Sequence, residues 1–505
     1  MFAHNPTSSV LRALLVAWPS LATLEGSIML RRVSLHGNAF VVMALMASLS
    51  GCSSSDGNTG GSAADPNFPN ARCGAGTIPS ANCVQVAGGD AQGLLNATNA
   101  LTPGAVIVLG QGTFAMTNQV TIRENGIHLI GQGIDATTLD FKTATAQTNG
   151  VDVVGNDFLV QGLTVRDSKK DGIRVESSER VTFRAVKATW STPESSTNGA
   201  YGIYPVKSKF VLVENSFAER AADAGLYVGQ CQNAVVRNNT VTGNVAGLEI
   251  ENTEFADVSG NTAENNTTGI VVFDLPGNPI PGRDVNIHDN IIRNNNGKNF
   301  AAGGTVASVP VGTGTFAMAS RRVQIANNTY QNNNTVDIGL VSGLVIEQNK
   351  VLWSLPKTSL VGDWQDLNLL PGFDANGNPV NDQVSTFRLE NIVVSGNKHS
   401  GSGTAPDLAN PLQIGLVLSI IYKGQPVDSI VYDTIGETDL TTNDNHICVG
   451  GNTNGSFGSL DLAKQAQTLG TSPVLRFSGP PFGQFNCTTL NGNPIQAPTL
   501  PANQP

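Results

Sequence analysis

Apolar and polar residues alternate in short segments along the middle of the chain, and these segments recur at a nearly fixed interval. Gly225 is followed by Leu-Tyr-Val, and Gly247, 22 residues later, is followed by Leu-Glu-Ile. Alternation over a few residues predicts a strand with one buried face and one outward face. Equivalent segments follow Gly150, Gly172, Gly202, Gly225, Gly247 and Gly269, in steps of 22, 30, 23, 22 and 22 residues. A period of this length indicates a repeat architecture.

A second alternating segment follows in each repeat and usually ends in asparagine, as in "AVVRNN" (234–239) and "LVIEQN" (344–349). Two short strands cannot bury an apolar face alone, but stacked repeats can. The pattern therefore predicts a parallel β-helix with one coil per repeat and with the first and third residues after each glycine in the core. We expect the recurring asparagines to occupy left-handed corners and to form an amide ladder. These are Asn239, Asn261, Asn290, Asn328 and Asn349.

The flanking regions set the predicted domain boundaries. An amphipathic helix is expected within 90–101, between Asp90 and Pro103-Gly104, and should cover the open end of the coils in an N-terminal cap of residues 71–104. Coils are expected over 105–403, with a loop inserted at about 355–386 and a last coil at "IVVSGN" (392–397). Residues 404–505 lose the period and are predicted to form an irregular C-terminal cap.

The N-terminus reads as an export signal. Arg31-Arg32 precede an apolar run at 39–50, and the run ends in Leu49-Ser50-Gly51-Cys52. A basic region, a short apolar stretch and small residues before a cleavage point are typical of a signal peptide. The last four residues resemble a bacterial lipobox, so residues 1–51 are predicted to be removed and Cys52 to carry a lipid. Met29 is then a candidate for the real start, and residues 52–70 form a flexible tether on a protein of the cell envelope, at the outer membrane or cell surface.

Charge and cysteine content narrow the picture further. A net charge of −10, with 13% charged residues, argues against a nucleic-acid partner. Exported proteins keep disulfides, so two are predicted, one between Cys73 and Cys83 and one between Cys448 and Cys487. Cys231 is then left as a buried, unreactive thiol.

Charged and aromatic side chains collect at the outward positions of neighbouring coils. Stacked coils bring equivalent residues to about one strand spacing, so Tyr204 and Tyr227 are expected to form an aromatic platform. Such a surface suits an extended polysaccharide, because aromatic rings stack on sugars and cations pair with uronate carboxylates. The candidate site contains Arg174, Glu176, Tyr204, Lys207, Tyr227, Glu249 and Glu251.

Simpler interpretations stay open at the same positions. These outward positions fit an ordinary solvated sheet face equally well. For Glu249 and Glu251, solvated charge is the favoured interpretation. Their carboxyl groups should nevertheless point the same way at a separation of about 7 Å, which would suit hydrolysis. No cofactor or metal is expected, apart from a weak indication of Ca²⁺ at Asp152 or Asp274.

Residues of about 105–400 resemble the right-handed parallel β-helix superfamily, which includes pectate lyases and mannuronan C5-epimerases. "DAGLYVGQ", "VAGLEIENT" and "GIVVFDLPG" are similar to segments of bacterial β-helix repeat lipoproteins without an assigned activity. The resemblance implies an all-β fold: a right-handed single-stranded parallel β-helix. Residues 201–230 are more distantly similar to the catalytic coil of the epimerases, which carry Asp-Pro-His-Asp where this chain has Tyr204-Pro205-Val206-Lys207.

Because the histidine of that motif is Val206 here, epimerase chemistry would need another base. We therefore expect an exported, lipid-anchored monomer that binds an acidic polysaccharide and modifies it by lyase- or epimerase-type chemistry, with Lys207 or Tyr204 as the base and Arg174 neutralising the developing charge. The alternative is a non-catalytic scaffold or maturation protein of the cell envelope whose outward face docks a protein.

Overall fold

The computed structural model describes residues 71–76, 78–360, 364, 367, 369–409, 414–435, 442–462, 475–477 and 479–505. These residues fall within one compact unit, Asp65–Pro505. The predicted signal peptide, the alternative start at Met29, the lipidated Cys52 and the tether lie outside the described residues and stay predictions.

Three long sheets, A, B and C, run side by side along the chain, and each coil visits them in that order. Sheet A contains Cys83–Val86, Val106–Leu109, His128–Ile130, Phe158–Gln161, Glu179–Arg184, Lys209–Glu214, Gln232–Arg237, Glu254–Ser259, Arg283–His288, Arg321–Ala326, Glu390–Ser395 and Ile447–Cys448. Sheet B contains Gly112–Ala115, Thr137–Asp140, Thr164–Arg166, Lys187–Thr189, Phe217–Glu219, Thr240–Thr242, Thr262–Glu264, Ile291–Arg293, Thr329–Gln331 and Lys398–Ser400.

Sheet C carries the segments that follow the repeated glycines. Its strands are Val120–Ile122, Val151–Val153, Ile173–Glu176, Tyr201–Val206, Ala224–Gly229, Ala246–Glu251, Thr268–Phe273, Thr313–Met318, Val336–Val341, Ile430–Tyr432, Phe457–Ser459 and Leu475–Phe477. Neighbouring strands pair in parallel except for the last, which is antiparallel. The architecture is the predicted parallel β-helix.

The interior of the coils is aliphatic, as the alternation predicts. Along sheet C the register pairs Ile173 with Ile203, then Leu226, Leu248 and Ile270. All five side chains are fully buried in one continuous core. Stacking thus buries what a single coil would leave exposed, which is the main stabilising contribution in a solenoid.

The predicted amide ladder is present between sheets A and B. The side-chain nitrogen of each asparagine donates to the amide oxygen of the next, over 2.9 Å from Asn239 to Asn261 and 3.0 Å from Asn261 to Asn290. The ladder continues through Asn328, Asn397 and Asn452. A second ladder, between sheets B and C, contains Asn244, Asn266, Asn295 and Asn333.

Two details of the asparagine prediction are wrong. The left-handed corner lies one residue before the ladder, at positions such as Asn238 (φ 56°) and Asp289 (φ 54°), because the ladder asparagine must point inward to reach its neighbours. Asn349 belongs to no ladder. It caps the 3₁₀ helix Lys350–Trp353, since its side-chain oxygen accepts a hydrogen bond from the Val351 amide at 3.1 Å.

Helices are few in the described ranges. The α-helices are Ala91–Asn99 and Ile414–Ile421, and the 3₁₀ helices are Thr305–Ser308, Gly343–Val345, Lys350–Trp353, Lys357–Ser359 and Gly483–Phe485. Asp90 caps the first helix by accepting from the Gly93 amide at 2.8 Å, and Leu94 of that helix joins the core. Among these described helices, none has the length and apolar character needed to cross a bilayer.

The coil predicted at 344–349 is wrong. Sheet A passes directly from Arg321–Ala326 to Glu390–Ser395. The chain between them leaves the coils and forms the 3₁₀ helices together with a small antiparallel sheet of Ser354–Pro356, Pro371–Phe373 and Pro379–Ser385. Local alternation at 344–349 resembled that of a strand, but no neighbouring coil accepts the segment.

Residues 404–505 are more regular than the loss of period suggested. Ile430–Tyr432 pairs in parallel with Val336–Val341, and Ile447–Cys448 pairs with Glu390–Ser395, so the coils continue beyond residue 403. The final residues then run back along the outside of sheet A. The backbone amides of Gln496 and Thr499 donate to the side-chain oxygens of Asp284 and Asn233, and the Gln504 side chain donates to the Phe210 carbonyl oxygen.

Both predicted disulfides, Cys73–Cys83 and Cys448–Cys487, are present. Cys231 is a fully buried free thiol, and burial raises its pKa to about 12. The thiol donates to the Gly229 carbonyl oxygen at 3.2 Å. Cys231 is therefore structural, as predicted.

Candidate functional site

Three tyrosines pack against one another on the outer side of sheet C. Tyr201 and Tyr204 lie on one strand, and Tyr227 lies on the next strand, Ala224–Gly229. The ring centroids are 4.5 Å apart for Tyr201–Tyr204, 4.7 Å for Tyr201–Tyr227 and 4.9 Å for Tyr204–Tyr227. The predicted pair is thus adjacent but perpendicular, at 84°, and not a flat platform. Tyr201, which the outward columns did not include, completes the group.

Two glutamates lie beside the tyrosines on the strand Ala246–Glu251. The register places Glu249 next to Tyr227 and Glu251 next to Gly229. Their residues are only 2% and 8% exposed, so the favoured interpretation of solvated charge is wrong. Tyrosine rings cover them from the outside, and Asn278 covers Glu251 by donating to its carboxyl oxygen at 2.8 Å. We call Tyr201, Tyr204, Asp223, Tyr227, Glu249 and Glu251 the tyrosine–carboxyl cluster.

Asp223 is the carboxyl member of this cluster that remains partly exposed, like Tyr201 and Tyr204. It precedes the strand Ala224–Gly229 and shares a hydrogen bond with Tyr201. Burial, together with the nearby Glu251 and Asp171 carboxyl groups, raises its pKa to about 7. Asp171, two coils earlier, is buried, and burial raises its pKa to about 6. The sequence analysis missed both aspartates because they lie in corners, where alternation gives no information.

The pKa values of both glutamates are also raised. Burial raises the pKa of Glu249 well above its usual range, and the Asp223 and Glu251 carboxyl groups add to that effect. Burial likewise raises the pKa of Glu251, although hydrogen bonds from Asn278 and Tyr227 oppose the shift. Among the described residues, none of the three cluster carboxyl groups forms an ion pair with a Lys or Arg. Like-charged carboxyl groups at close range cannot all ionise, so the cluster retains protons near neutral pH.

Gly229 makes room for Tyr227. A Cβ atom at this position would lie 2.1 Å from the Tyr227 hydroxyl oxygen, so the ring lies flat along its own strand. That placement brings the hydroxyl to Glu251, the residue paired with Gly229 on the next coil. A small residue is therefore required here, although its φ is not in the left-handed region.

The predicted cations lie at the edge of the cluster. The Arg174 guanidinium pairs with Glu176 and, over 3.3 Å, with Asp152, and it lies 6.0 Å from the centre of the Tyr204 ring. The Lys207 ammonium is 3.7 Å from a Glu176 carboxyl oxygen, and its side chain is 51% exposed. Burial raises the pKa of Tyr204 to about 12, so its hydroxyl is a proton donor at neutral pH.

Two other carboxylates were candidates for calcium. Asp152 is held by Arg123 at 2.5 Å as well as by Arg174, and Asp274 is held by Arg321 at 2.5 Å and by the Gly282 amide. An arginine thus already neutralises each of them.

Three long connections surround the cluster. Residues 190–200 and 294–312 lead from sheet B into sheet C, and residues 274–282 lead from sheet C into sheet A. The Ala222 amide donates to Gly199 at 2.9 Å, and a Cβ atom at Gly304 would lie 3.9 Å from an Asp223 carboxyl oxygen. Two of these connections therefore approach Asp223 closely. A carboxyl group with a pKa near neutrality is suited to proton transfer.

A protein-family model described as "Right handed beta helix region" matches residues 104–309. No curated protein matches the chain. Among solved structures, the chain is similar to the Azotobacter vinelandii mannuronan C-5 epimerase AlgE4 A-module, at 15% identity and a TM-score of 0.43 over 72% of this chain and 88% of that one.

Two further structures are similar. The catalytic unit of a GH87 alpha-1,3-glucanase from Streptomyces thermodiastaticus strain HF3-3 has 14% identity and a TM-score of 0.41, over 76% of this chain and 56% of that chain. Pectate lyase Pel9A has 14% identity and a TM-score of 0.36, over 61% and 96%. The three coiled parallel sheets and the family match over residues 104–309 identify the fold as a right-handed parallel β-helix.

Proposed function

We propose that this protein binds a polysaccharide along the outer side of sheet C and cleaves it at the tyrosine–carboxyl cluster by general acid–base catalysis. The observation that carries the proposal is the group of three carboxyl side chains, Asp223, Glu249 and Glu251, whose pKa values are all raised beside three tyrosines. Perturbed carboxyl groups are a common signature of catalytic sites. The tyrosines supply ring faces for sugars and hydroxyl donors for orientation.

Each group has a distinct role in this scheme. Asp223, which is partly exposed and has a pKa of about 7, donates its proton to the glycosidic oxygen as the bond from that oxygen to the anomeric carbon breaks. Glu251 accepts hydrogen bonds from Asn278 and Tyr227, which stabilise its ionised form, so it is the base that takes a proton from water. The water oxygen forms the new bond to the anomeric carbon. Glu249, whose own pKa is raised by burial and by the Asp223 and Glu251 carboxyl groups, has no direct part in the step.

An acidic polysaccharide is the second candidate substrate, and one observation favours it. Arg174 and Lys207 border Tyr204, where a uronate carboxylate would lie next to two cations. Lyase- or epimerase-type chemistry there would use Lys207 as the base and Arg174 as the neutraliser. Both cations already face Glu176, so a bound uronate would have to compete with that carboxylate.

Incubation of the purified protein with neutral and uronate-containing polysaccharides separates these reactions. Hydrolysis gives new reducing ends without unsaturation, a lyase gives unsaturated, ultraviolet-absorbing ends, and an epimerase changes the sugar configuration without chain cleavage. Asp223→Asn should lower hydrolysis about 10²–10⁴-fold, whereas Asp257→Asn, an outward aspartate of sheet A, should retain it. If the wild-type protein neither binds nor alters any glycan, the scaffold interpretation replaces this proposal.

The lipid tether and the shielding of the ends of the solenoid are further proposals. We propose that a lipid on Cys52 tethers the coils to the cell envelope. Helix Ala91–Asn99 and the C-terminal segment would then shield the two ends of the solenoid, where open strand edges favour aggregation. Metabolic labelling with a fatty acid tests the tether: Cys52→Ala should remove the label, and its retention would refute lipidation at this residue.

A further inference from the structure

A recess lies on the outer side of sheet B, away from the tyrosine–carboxyl cluster. It has a volume of about 460 Å³ and crosses four neighbouring strands, from Thr137–Asp140 to Phe217–Glu219. One wall is the corner at Ile134 and Asp135, and the other is formed by Trp190, Ser191 and Arg220. We call it the sheet B cleft. Its volume is in the range of small-ligand pockets.

One cation of the cleft acts on a carboxylate only from beyond ion-pair distance: the charge of Arg220 helps to lower the pKa of the neighbouring Glu219. Arg166 pairs with Asp140 at 2.6 Å, and Lys187 pairs with Glu219 at 3.1 Å. Within the described part of the chain, Arg220 has no carboxylate at ion-pair distance. Its guanidinium donates one hydrogen bond, over 3.0 Å, to the Trp190 carbonyl oxygen, and a guanidinium carries five N–H donors.

The two walls of the cleft carry different polar groups. Arg220 follows a sheet B strand, whereas Asp135 precedes one, so the two lie at opposite ends of strands three to four residues long. At about 3.3 Å per residue, they are separated by roughly 10 Å or more. Threonines 138, 164 and 189 line the floor between them. An elongated ligand would thus meet Arg220 at one end and the threonine hydroxyl groups and Asp135 along the rest, beside the paired charges of Arg166, Lys187 and Glu219.

The Arg220 wall is fixed by its surroundings. The Trp190 indole nitrogen donates to the Ser168 carbonyl oxygen at 2.8 Å, and the side chain is 3% exposed. The Asn198 side chain donates to the Arg220 carbonyl oxygen at 2.7 Å. The wall is therefore held in place, and binding would not have to order it.

We propose that the sheet B cleft is a binding site for an anionic sugar residue, with its carboxylate or sulfate on Arg220 and its hydroxyl groups on the threonine floor and Asp135. A guanidinium presents parallel N–H groups that match two oxygens of such an anion. The site is independent of the carboxyl chemistry on sheet C, since the two sites share no residue. It would hold a charged polymer without cleaving it.

Titration of the full chain with glucuronate, sulfated glucose and glucose tests the proposal. The indole N–H signal of Trp190, assigned by Trp190→Phe, reports binding by nuclear magnetic resonance. The anionic sugars should bind roughly tenfold more tightly than glucose, which corresponds to one charge-assisted pair. Glucuronate and sulfated glucose together distinguish a carboxylate site from a sulfate site.

Variants at Arg220 test the role of charge, and a variant at Thr138 tests the role of space. Arg220→Gln should abolish the preference for the anionic sugars, and Arg220→Lys should restore part of it. Thr138→Trp fills the floor without changing charge and should block all three sugars, while Glu251→Gln should leave binding in the cleft unchanged. Thermal melting shows whether each variant is folded. The proposal is overturned if glucose binds as tightly as glucuronate, or if folded Arg220→Gln and Thr138→Trp both keep the wild-type affinity.

Discussion

Glu214 and Glu251 are the same residue type at the same place in their strands, but their environments differ. Each is the last residue of a six-residue strand, points outward, and is nearly buried, at 7% and 8% exposure. Glu214, on sheet A, receives hydrogen bonds from Arg184 at 2.7 Å and Arg237 at 2.7 Å. Glu251, on sheet C, has Asn278 and tyrosines around it and no cation.

The two carboxyl groups therefore titrate in opposite directions. For Glu214, burial alone would raise the pKa, but the two arginines outweigh burial and lower it. For Glu251, burial raises the pKa and the neutral donors only reduce the effect. Burial by itself does not distinguish a structural carboxylate from a reactive one. The partners on the neighbouring coils make that distinction, and it assigns Glu214 to stability and Glu251 to chemistry.

The sharpest test replaces each glutamate by glutamine. Glu251→Gln should lower polysaccharide cleavage about 10²–10⁴-fold, because the base is lost while the shape is kept. Glu214→Gln should leave the rate within about twofold, since the residue lies on another sheet and outside the proposed chemistry. Steady-state rates on the substrate identified by the panel measure both. Equal losses in the two variants would contradict the assignment.

The pH dependence of stability should show a large effect at Asp223. Its pKa rises from 3.8 to about 7 on folding, so the folded state binds the proton more tightly than the unfolded chain. The stabilisation is complete below the unfolded pKa and is lost as the pH rises through the folded one. Asp223→Asn should therefore flatten the fall in melting temperature between about pH 4 and pH 7. An unchanged slope would mean that Asp223 is ionised in the folded protein.

Glu214→Gln should show the reverse pH profile with a smaller amplitude. Because the folded pKa is lowered, the ion pairs stabilise the protein above the unfolded pKa, and this contribution disappears as the pH falls through the folded value. At neutral pH the variant should lose about 2 kcal/mol of unfolding free energy, the scale of hydrogen bonds to a charged group. Denaturant unfolding at neutral and acidic pH measures the difference, which should shrink in acid.

Gly229→Ala should give the smallest change in stability. The added methyl group conflicts with the Tyr227 hydroxyl and forces the ring off its strand, at a cost of about 1–2 kcal/mol. Displacement of Tyr227 also removes a hydrogen-bond donor from Glu251. The loss in cleavage rate, expressed as a free energy, should therefore exceed the loss in unfolding free energy. Gly243→Ala is a control for the methyl group at a corner glycine, where the strain is in the backbone (φ 67°). Wild-type activity in Gly229→Ala would show that the hydroxyl has no part in the site.

Much of the fold could be predicted from local pattern. The 22-residue period identified the coils, the aliphatic positions after each glycine identified the core, and cysteine spacing identified both disulfides. These features repeat along the chain, so each coil confirms its neighbours. The segment 344–349 shows the limit, because an isolated stretch of alternation has no neighbouring coil to confirm it.

The candidate site was predicted only in part. Alternation correctly placed Tyr204, Tyr227, Glu249 and Glu251 on one outward face, yet it could not tell that the glutamates are covered. Part of the cover comes from Asn278, which lies in a connection between two coils and therefore has no place in the period. Corner residues such as Asp223 and the preceding strand's Tyr201 were missed for the same reason.

The sequence alone determined that the chain forms a β-helix and which side chains point inward, because stacking of a short repeat depends on periodicity that can be counted. The tertiary structure decided which outward carboxyl groups meet arginines and which meet tyrosines, and it formed the sheet B cleft beside Arg220. Protonation and recess shape depend on contacts between residues tens of positions apart. Those contacts are set by the lengths and paths of the loops, which no local pattern records.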